Sequence, residues 1–235
     1  MNFEKDPLGL AICDYSDNGF SENITVEANL CEDDIMPIEY LFRSVESMPA
    51  LEQKALQLAE GKVLDVGAAA GCHSLPLLDN GLDVTAIDAS LGAVTYMKTQ
   101  GIPAYHQDFY TYKGQFDTVL VLMNGIGIAG SLEKLPLFLT QLKSLIAPNG
   151  QALCDSTDLT YLYQEDDGSM WVDLNGSYHG EMEFRMKYKT ATGEWFNWLY
   201  IDFELLKENA EKVGLNCELI LEGESDNYLV RLTHQ

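Results

Sequence analysis

No stretch constrains the fold of this chain more than Val63-Leu64-Asp65-Val66-Gly67-Ala68-Ala69-Ala70-Gly71. Residues 62–66 form a near-continuous apolar run of β-branched and aliphatic residues, bounded by Gly61 and Gly67, and read as a short buried strand. Gly67 allows a sharp turn, Ala68 to Ala70 keep side chains small, and Gly71 allows backbone to approach a ligand or a neighbouring strand. Residues 74–80, with Pro76 in the first turn and Gly81 as a stop, predict a short helix. A small-residue turn between a parallel strand and a helix N-terminus is a nucleotide-binding device, because backbone N–H groups and the helix dipole face the ligand there.

Spacing narrows the choice of nucleotide. A nicotinamide or flavin fingerprint needs glycines in a G-x-G-x-x-G frame starting at Gly67, but Ala69 and Cys72 occupy two of the three places. The frame that fits is an acid, one residue, Gly, three residues, Gly: Asp65, Gly67, Gly71. This resembles motif I of the class I S-adenosylmethionine-dependent methyltransferases, which usually carry a further glycine where Ala69 stands. The resemblance implies an α/β fold: a Rossmann-like, doubly wound, mostly parallel seven-stranded sheet with an antiparallel terminal hairpin. Here it would be decorated by an N-terminal helical cap and an added β-hairpin insertion. It also implies S-adenosylmethionine as cofactor, with Asp65, Gly67, Ala68, Ala69 and Gly71 at the motif.

Downstream spacing agrees. Residues 83–88 read as a strand ending in Asp88, close to the roughly 20-residue gap at which an acid meets a ribose. A carboxylate there can accept from both ribose hydroxyls. Ala89 follows it, and residues 90–97 predict a helix closed by Gly101. Residues 103–107 are a short strand leading to Asp108 and Phe109, where the resemblance places an acceptor for the adenine amino group and an apolar neighbour for the ring. Residues 117–123 form an apolar strand that ends in a glycine-rich loop, 124–130. In the family this strand end lies near the methionine part of the cofactor, which implicates Met123 and Asn124. Ser131 is the expected cap of an amphipathic helix carrying Leu135, Phe138, Leu139, Leu142, Leu145 and Ile146. Residues 151–155 predict the next strand.

Elsewhere the pattern is looser. Residues 1–36 are dense in acids and turn formers and read as an irregular extension with one strand at 24–28. Residues 38–45 and a segment after Pro49 predict two helices, which in the family would cover the cofactor site and contact substrate. Tyr40 and Arg43 are candidates for that contact. Residues 157–181 read as an aromatic inserted loop. Residues 182–188 alternate as a half-buried strand, and 195–201 form its partner in a hairpin that would extend the sheet or lid the pocket. A helix at 203–213, capped by Asp202, precedes terminal strands at 217–222 and 228–233. The expected organisation is one domain over 1–235: an extension at 1–60, the cofactor core at 62–156, the insertion and hairpin at 157–201, and a terminal helix and strands at 202–235.

A net charge of −23, from 37 acidic against 14 basic residues, argues against nucleic acid and anionic membranes as partners and favours neutral or cationic small molecules. No apolar run reaches the ~18 residues of a membrane span, and the N-terminus does not read as a secretory signal. The five cysteines are scattered, without a C-x-x-C pair, as in a reducing cytosol, so a cytoplasmic location is expected. A sulfonium methyl group needs an aligned nucleophile more than a catalytic triad. His179 is the best-placed base, His73 and His106 read as structural, and no metal-ligand set is evident. Trp171 and Trp198 belong to an aromatic group that is either hairpin core or an acceptor pocket. A pocket of that kind would suit an amine or heteroaromatic acceptor. The chemistry expected is methyl transfer to a small-molecule N or O acceptor. The alternatives are a nicotinamide oxidoreductase, an aminopropyltransferase-like enzyme and a non-catalytic cofactor-binding protein.

Overall fold

Alternate residues of the apolar run at 62–66 point to opposite faces of a sheet that is covered on both sides. The computed structural model describes residues 5–30, 32–163 and 178–235. In chain order it contains α1 (Pro7–Asn18), β1 (Ile24–Ala28), β2 (Asp34–Met36), α2 (Ala50–Leu58), β3 (Lys62–Val66), α3 (Ser74–Asp79), β4 (Asp83–Asp88) and α4 (Leu91–Thr99). These are followed by β5 (Ala104–His106), β6 (Phe116–Val121), α5 (Leu135–Leu145), β7 (Ile146–Thr157), β8 (Glu181–Tyr188) and β9 (Ala191–Thr192). The chain ends with β10 (Phe196–Leu199), α6 (Phe203–Lys212), β11 (Leu215–Glu222) and β12 (Asn227–His234).

The larger sheet has seven strands in the order β11-β12-β7-β6-β3-β4-β5. Its centre is parallel, and β12 pairs antiparallel with both β7 and β11. Leu64 and Val66 join Val119, Val121 and Cys154 in the core beneath α5 and α6, while Val63 joins Leu120, Leu153 and Leu229 beneath α2 and α3. Covering both faces is why these strands read as continuous apolar runs rather than alternating ones. From β3 the chain steps one way to β4 and β5; from β6 it steps the other way to β7. The crevice at the carboxyl ends of β3 and β6 is therefore the topological switch point, where open α/β sheets bind ligands. No helix among the described residues is long and apolar enough to cross a membrane.

A second sheet, absent from the sequence-based expectation, runs β10-β8-β1-β2, with β9 beside β8. The hairpin of β8 and β10 does not extend the seven-stranded sheet; β8 pairs with β1 instead. The N-terminal segment is correspondingly not irregular. Asp6 caps α1 by accepting from the Gly9 N–H at 2.8 Å, Pro7 opens the helix, and Gly19 ends it in the left-handed conformation. Ala11 and Ile12 are fully buried by it. Of the acids that suggested a loop, Asp17 is exposed and Asp14 pairs with Lys189 and accepts from Tyr188 Oη.

Three further boundaries differ. Residues 38–45 form two 3-10 turns, Ile38–Phe42 and Val45–Ser47, rather than one helix. The Arg43 guanidinium donates to the Tyr40 carbonyl, and Arg43 itself is extended. Ser131 does not cap α5 directly: a separate turn intervenes, with the Lys134 N–H on the Ser131 carbonyl, and the helix starts at Leu135 with Pro136 in its first turn. The strand expected to reach residue 123 stops at Val121, because Met123 and Asn124 both take left-handed φ values, 64° and 56°.

α1 is held to the core by a backbone contact and a shared carboxylate. A Cβ built on Gly92 would lie 2.4 Å from the Gly9 Cα, so only glycine pairs let α1 cross α4 this closely. The second oxygen of Asp6 accepts from the Gly92 N–H at 2.9 Å and from Ser90 Oγ at 3.0 Å. Gly92→Ala is expected to destabilise the fold by about 2 kcal/mol through overpacking. Urea denaturation checks this, together with proteolysis, which should cut α1 first.

Candidate active site

The motif turn is a folded unit before any ligand is considered. Gly67 N–H and Ala68 N–H both donate to the Ile87 carbonyl, at 2.9 and 3.3 Å, and Gly71 N–H donates to the Ala68 carbonyl at 2.7 Å. Ala69 N–H donates to Asp88 Oδ2 at 2.8 Å. These four N–H groups are consumed within the chain, which corrects the expectation that the turn offers them to a ligand. What it presents is a small-residue surface, unsuited to gripping a pyrophosphate, and the nicotinamide alternative loses its support on that ground. Ala69, standing where the family usually has glycine, sits at φ 47°, a strained position for a non-glycine residue. Asp65, 1% exposed, accepts from Ser74 Oγ at 2.7 Å and so pins the start of α3 under the turn. Burial raises its pKa above the ordinary carboxylate value.

Asp88, at the end of β4, accepts from Ala69 N–H on one oxygen and from Ser90 N–H, at 2.7 Å, on the other. Each oxygen keeps a second lone pair. Burial pushes its carboxyl up to about 6, against the opposing pull of those two N–H groups. Ala89 is exposed, and its carbonyl faces His106 Nε2 at 2.9 Å. Asp108 is exposed beyond β5 and caps the turn that follows by accepting from Tyr110 N–H at 2.8 Å. Phe109 is buried, with its ring 5.1 Å from that of Phe138, so most of it belongs to the core. Gly67, Asp88 and Asp108 therefore stand at the ends of three adjacent parallel strands.

Met123 and Asn124 form a strained two-residue turn at the end of β6. Thr157 Oγ1 donates to Asn124 Oδ1 at 2.7 Å, and Asp155 Oδ1 accepts from Gly125 N–H at 3.3 Å. Burial pushes Asp155 up to about 6, again against nearby backbone donors. Neither Asp155 nor Thr157 was identifiable from sequence as a support of this turn, since the pairing of β6 with β7 creates the contact.

A cavity of about 550 Å³ opens between the two sheets. Gly67, Ala69, Met123 and Asn124 line one side; Phe184, Met186, Phe196, Trp198 and Tyr200 line the other; residues 34–37 with Tyr40 and Leu41 close it. Trp198 rests directly on the backbone of the turn after β6: a Cβ on Gly127 would lie 2.0 Å from the indole nitrogen. Of the acceptor candidates, Tyr40 and Trp198 line this cavity and Trp171 lies outside the described residues. His179 is not among the lining residues and sits against Thr160 and the Tyr178 ring.

Arg43 does not line the cavity either. Its side chain is 5% exposed, pairs with Glu52, stacks 3.8 Å from the Tyr40 ring centroid and donates to the Tyr40 carbonyl. His73 Nε2 lies 2.6 Å from the same Glu52 oxygen. Burial raises the Glu52 pKa, but the hydrogen bond and charge of His73 and the charge of Arg43 outweigh it, leaving the carboxyl below its ordinary value. The cluster joins the cavity wall at Tyr40 to the segment just past Gly71. Glu52 carried no signal in the sequence, because its two partners, Arg43 and His73, come from separate segments on either side of it. Removing one member of a buried ionic cluster strands the others, so Glu52→Ala is expected to cost about 3 kcal/mol of stability. A urea midpoint within error of wild type would contradict this.

No family model and no curated protein sequence matches the chain. Among solved structures, it resembles a SAM-dependent methyltransferase from Bacteroides fragilis, crystallised with S-adenosyl-L-homocysteine. That likeness has a TM-score of 0.93 and 43% identity, and covers 100% of this chain and 97% of the other. The CcbJ methyltransferase from Streptomyces caelestis matches with a TM-score of 0.61 at 13% identity, covering 82% of this chain and 99% of its own. The sugar N-methyltransferase KedS8 from Streptoalloteichus gives 0.57 at 13% identity, covering 83% of this chain and 88% of its own. These last two bear on the fold alone. The motif turn, the switch-point crevice and the end-to-end match at 43% identity place this chain among the S-adenosylmethionine-dependent methyltransferases.

Proposed function

We propose that the chain acts as one methyltransferase-like domain over residues 1–235. It would transfer a methyl group from S-adenosylmethionine to a nitrogen or oxygen of a small molecule by in-line displacement. The observation that carries this reading is that the motif turn and the strained turn after β6 face the same cavity as the aromatic wall of the second sheet. Cofactor side and acceptor side thereby share one space.

The residues fit this cofactor on their own chemistry. A Cβ on Gly67 would meet only Ile128, at 3.8 Å, so the turn leaves room beside the strand end. Four of its N–H groups, those of Gly67, Ala68, Ala69 and Gly71, are already bonded, as suits a ligand with a ribose and no phosphate. Asp88 would take the ribose hydroxyls on its remaining lone pairs, and Asp108 the adenine amino group, with the edge of Phe109 beside the ring. Gly67, Ala68, Ala69 and Gly71 would form the floor, shaped from below by Asp65, with Ala89 flanking. Met123 and Asn124 would border the methionine part. When bound, S-adenosylmethionine supplies a methyl group on a sulfonium, an electrophile strong enough to need alignment more than a base.

The chain's contribution is then to align the acceptor and exclude water. Apolar and aromatic walls perform the second task. The titratable side chains lining the cavity are Asp34, Tyr40 and Tyr200, and none of the lining residues described is a histidine. The net charge of −23 favours a neutral or cationic acceptor over nucleic acid.

Calorimetric titration with S-adenosylhomocysteine tests the assignment. Two charge-assisted hydrogen bonds are worth about 3 kcal/mol, so Asp88→Ala should weaken binding about 100-fold. Unchanged affinity would overturn the placement of the ribose. The pH dependence has a defined sign. Ribose hydroxyls favour the ionised carboxylate, so affinity should be full above pH 6 and decline as pH falls through about 6. The slope should persist in Asp155→Asn, whose carboxyl also titrates near 6 in the wild type. For the free fold the sign is opposite. A pKa raised from 3.8 to about 6 favours folding most at acid pH, and that contribution is lost as pH rises through 6.

A further inference from the structure

The walls of the cavity have a charge pattern that follows from strand alternation. On β8, Phe184 and Met186 face the cavity, so Arg185 and Lys187 project from the opposite face. There both are paired with Glu27 of β1, Arg185 Nε at 2.6 Å. Lys189 is paired with Asp14 at 2.6 Å, and Arg43 with Glu52. These four cations are thus each paired with a carboxylate that does not line the cavity. Among the described residues that line it, none is Lys, Arg or His, and Asp34 is the one acid. Residues 1–4, 31 and 164–177 contain no Lys, Arg or His in their sequence either.

Aromatic faces replace the missing cations. The Phe184 and Phe196 rings lie 6.2 Å apart across the two strands, and Trp198 meets Phe196 edge-on at 6.0 Å. Tyr200 stands edge-on to Phe184 at 6.4 Å; Tyr40 also lines the cavity, with the Arg43 guanidinium against one face of its ring. Such a box attracts a cation through the ring quadrupoles and offers a carboxylate or phosphate nothing to pair with. Few side-chain hydrogen-bonding groups line it, so a polyhydroxylated acceptor would leave most of its hydroxyls unsatisfied.

We propose that the acceptor is an amine carried on an apolar, preferably aromatic, body, with its nitrogen held among Trp198, Phe196 and Phe184. This rests on the methyltransferase reading and deepens it by naming the substrate class. The walls attract the ammonium form, which gives one proton to solvent at the mouth of the cavity. The freed nitrogen lone pair then forms the new N–C bond as the methyl–sulfur bond breaks, its electron pair staying on sulfur, so that S-adenosylhomocysteine leaves and the product is a methylated ammonium.

The test is calorimetric titration of the full chain, saturated with S-adenosylhomocysteine, with 2-phenylethylamine, 2-phenylethanol and phenylacetate. The amine should bind about tenfold more tightly than the alcohol, and phenylacetate more weakly than both. Trp198→Leu should abolish the preference for the amine, and Trp198→Phe should retain part of it. Binding of S-adenosylhomocysteine by each variant, read first, reports an intact cofactor half. If S-adenosylhomocysteine binds but the series shows no preference for the amine, or places the carboxylate first, the amine assignment is overturned and the methyltransferase reading stands. Failure of S-adenosylhomocysteine to bind the wild type overturns both.

Discussion

The Asp88 carboxylate ties together two segments that the pairing of β3 with β4 brings side by side. One oxygen takes the Ala69 N–H and so fixes the motif turn; the other takes the Ser90 N–H and fixes the start of α4. Ser90 Oγ in turn donates to Asp6, which caps α1 and also holds Gly92. A short hydrogen-bonded chain thus runs from the small-residue turn to the N-terminal helix. Burying a carboxylate is expensive, and the pKa pushed up to about 6 records that cost. The donors on both oxygens offset part of it. On the proposed reading the remaining lone pairs would hold the ribose, and one side chain would carry both scaffold and binding roles.

The second sheet is where this chain departs from the bare sheet-and-helix plan. Its strands come from distant segments: β1 and β2 precede the cofactor core, while β8 and β10 follow it. Their pairing lays an aromatic face over the switch-point crevice. The period of two in a strand sends Phe184 and Met186 inward and Arg185 and Lys187 outward, so one pairing event sets both the apolar lining and the removal of positive charge. Gly127 allows the closure at the far side, because any side chain there would occupy the space of the Trp198 indole.

Much of the core was legible in the sequence for local reasons. β3, β4 and β6 announced themselves as apolar runs, and α2, α4 and α6 began and ended close to their expected places because Pro49, Ser90, Asp202, Gly101 and Gly214 act within a few residues of themselves. The errors have equally local explanations. α1 was hidden because its acids outweighed a weak apolar face, although Asp6, Pro7 and Gly19 mark its ends. The 3-10 turns at 38–47 replaced a helix because Arg43 takes a carbonyl that a continuing helix would need. β6 ended early because Met123 and Asn124 adopt left-handed φ values that no composition rule anticipates.

The sequence by itself determined the motif turn and the acid that closes on it. Asp65, Gly67 and Gly71 with Asp88 about 20 residues on are separations along the chain, and a strand–turn–helix unit converts such separations directly into positions. Tertiary structure decided the rest of the site. Only folding turned Arg43 away from the cavity to Glu52 and His73, spent the N–H groups of the motif turn on Ile87, Ala68 and Asp88, and brought β8 beside β1. Each of these depends on contacts between residues far apart in sequence, and such contacts are selected by the burial of whole faces rather than by any local pattern of residues.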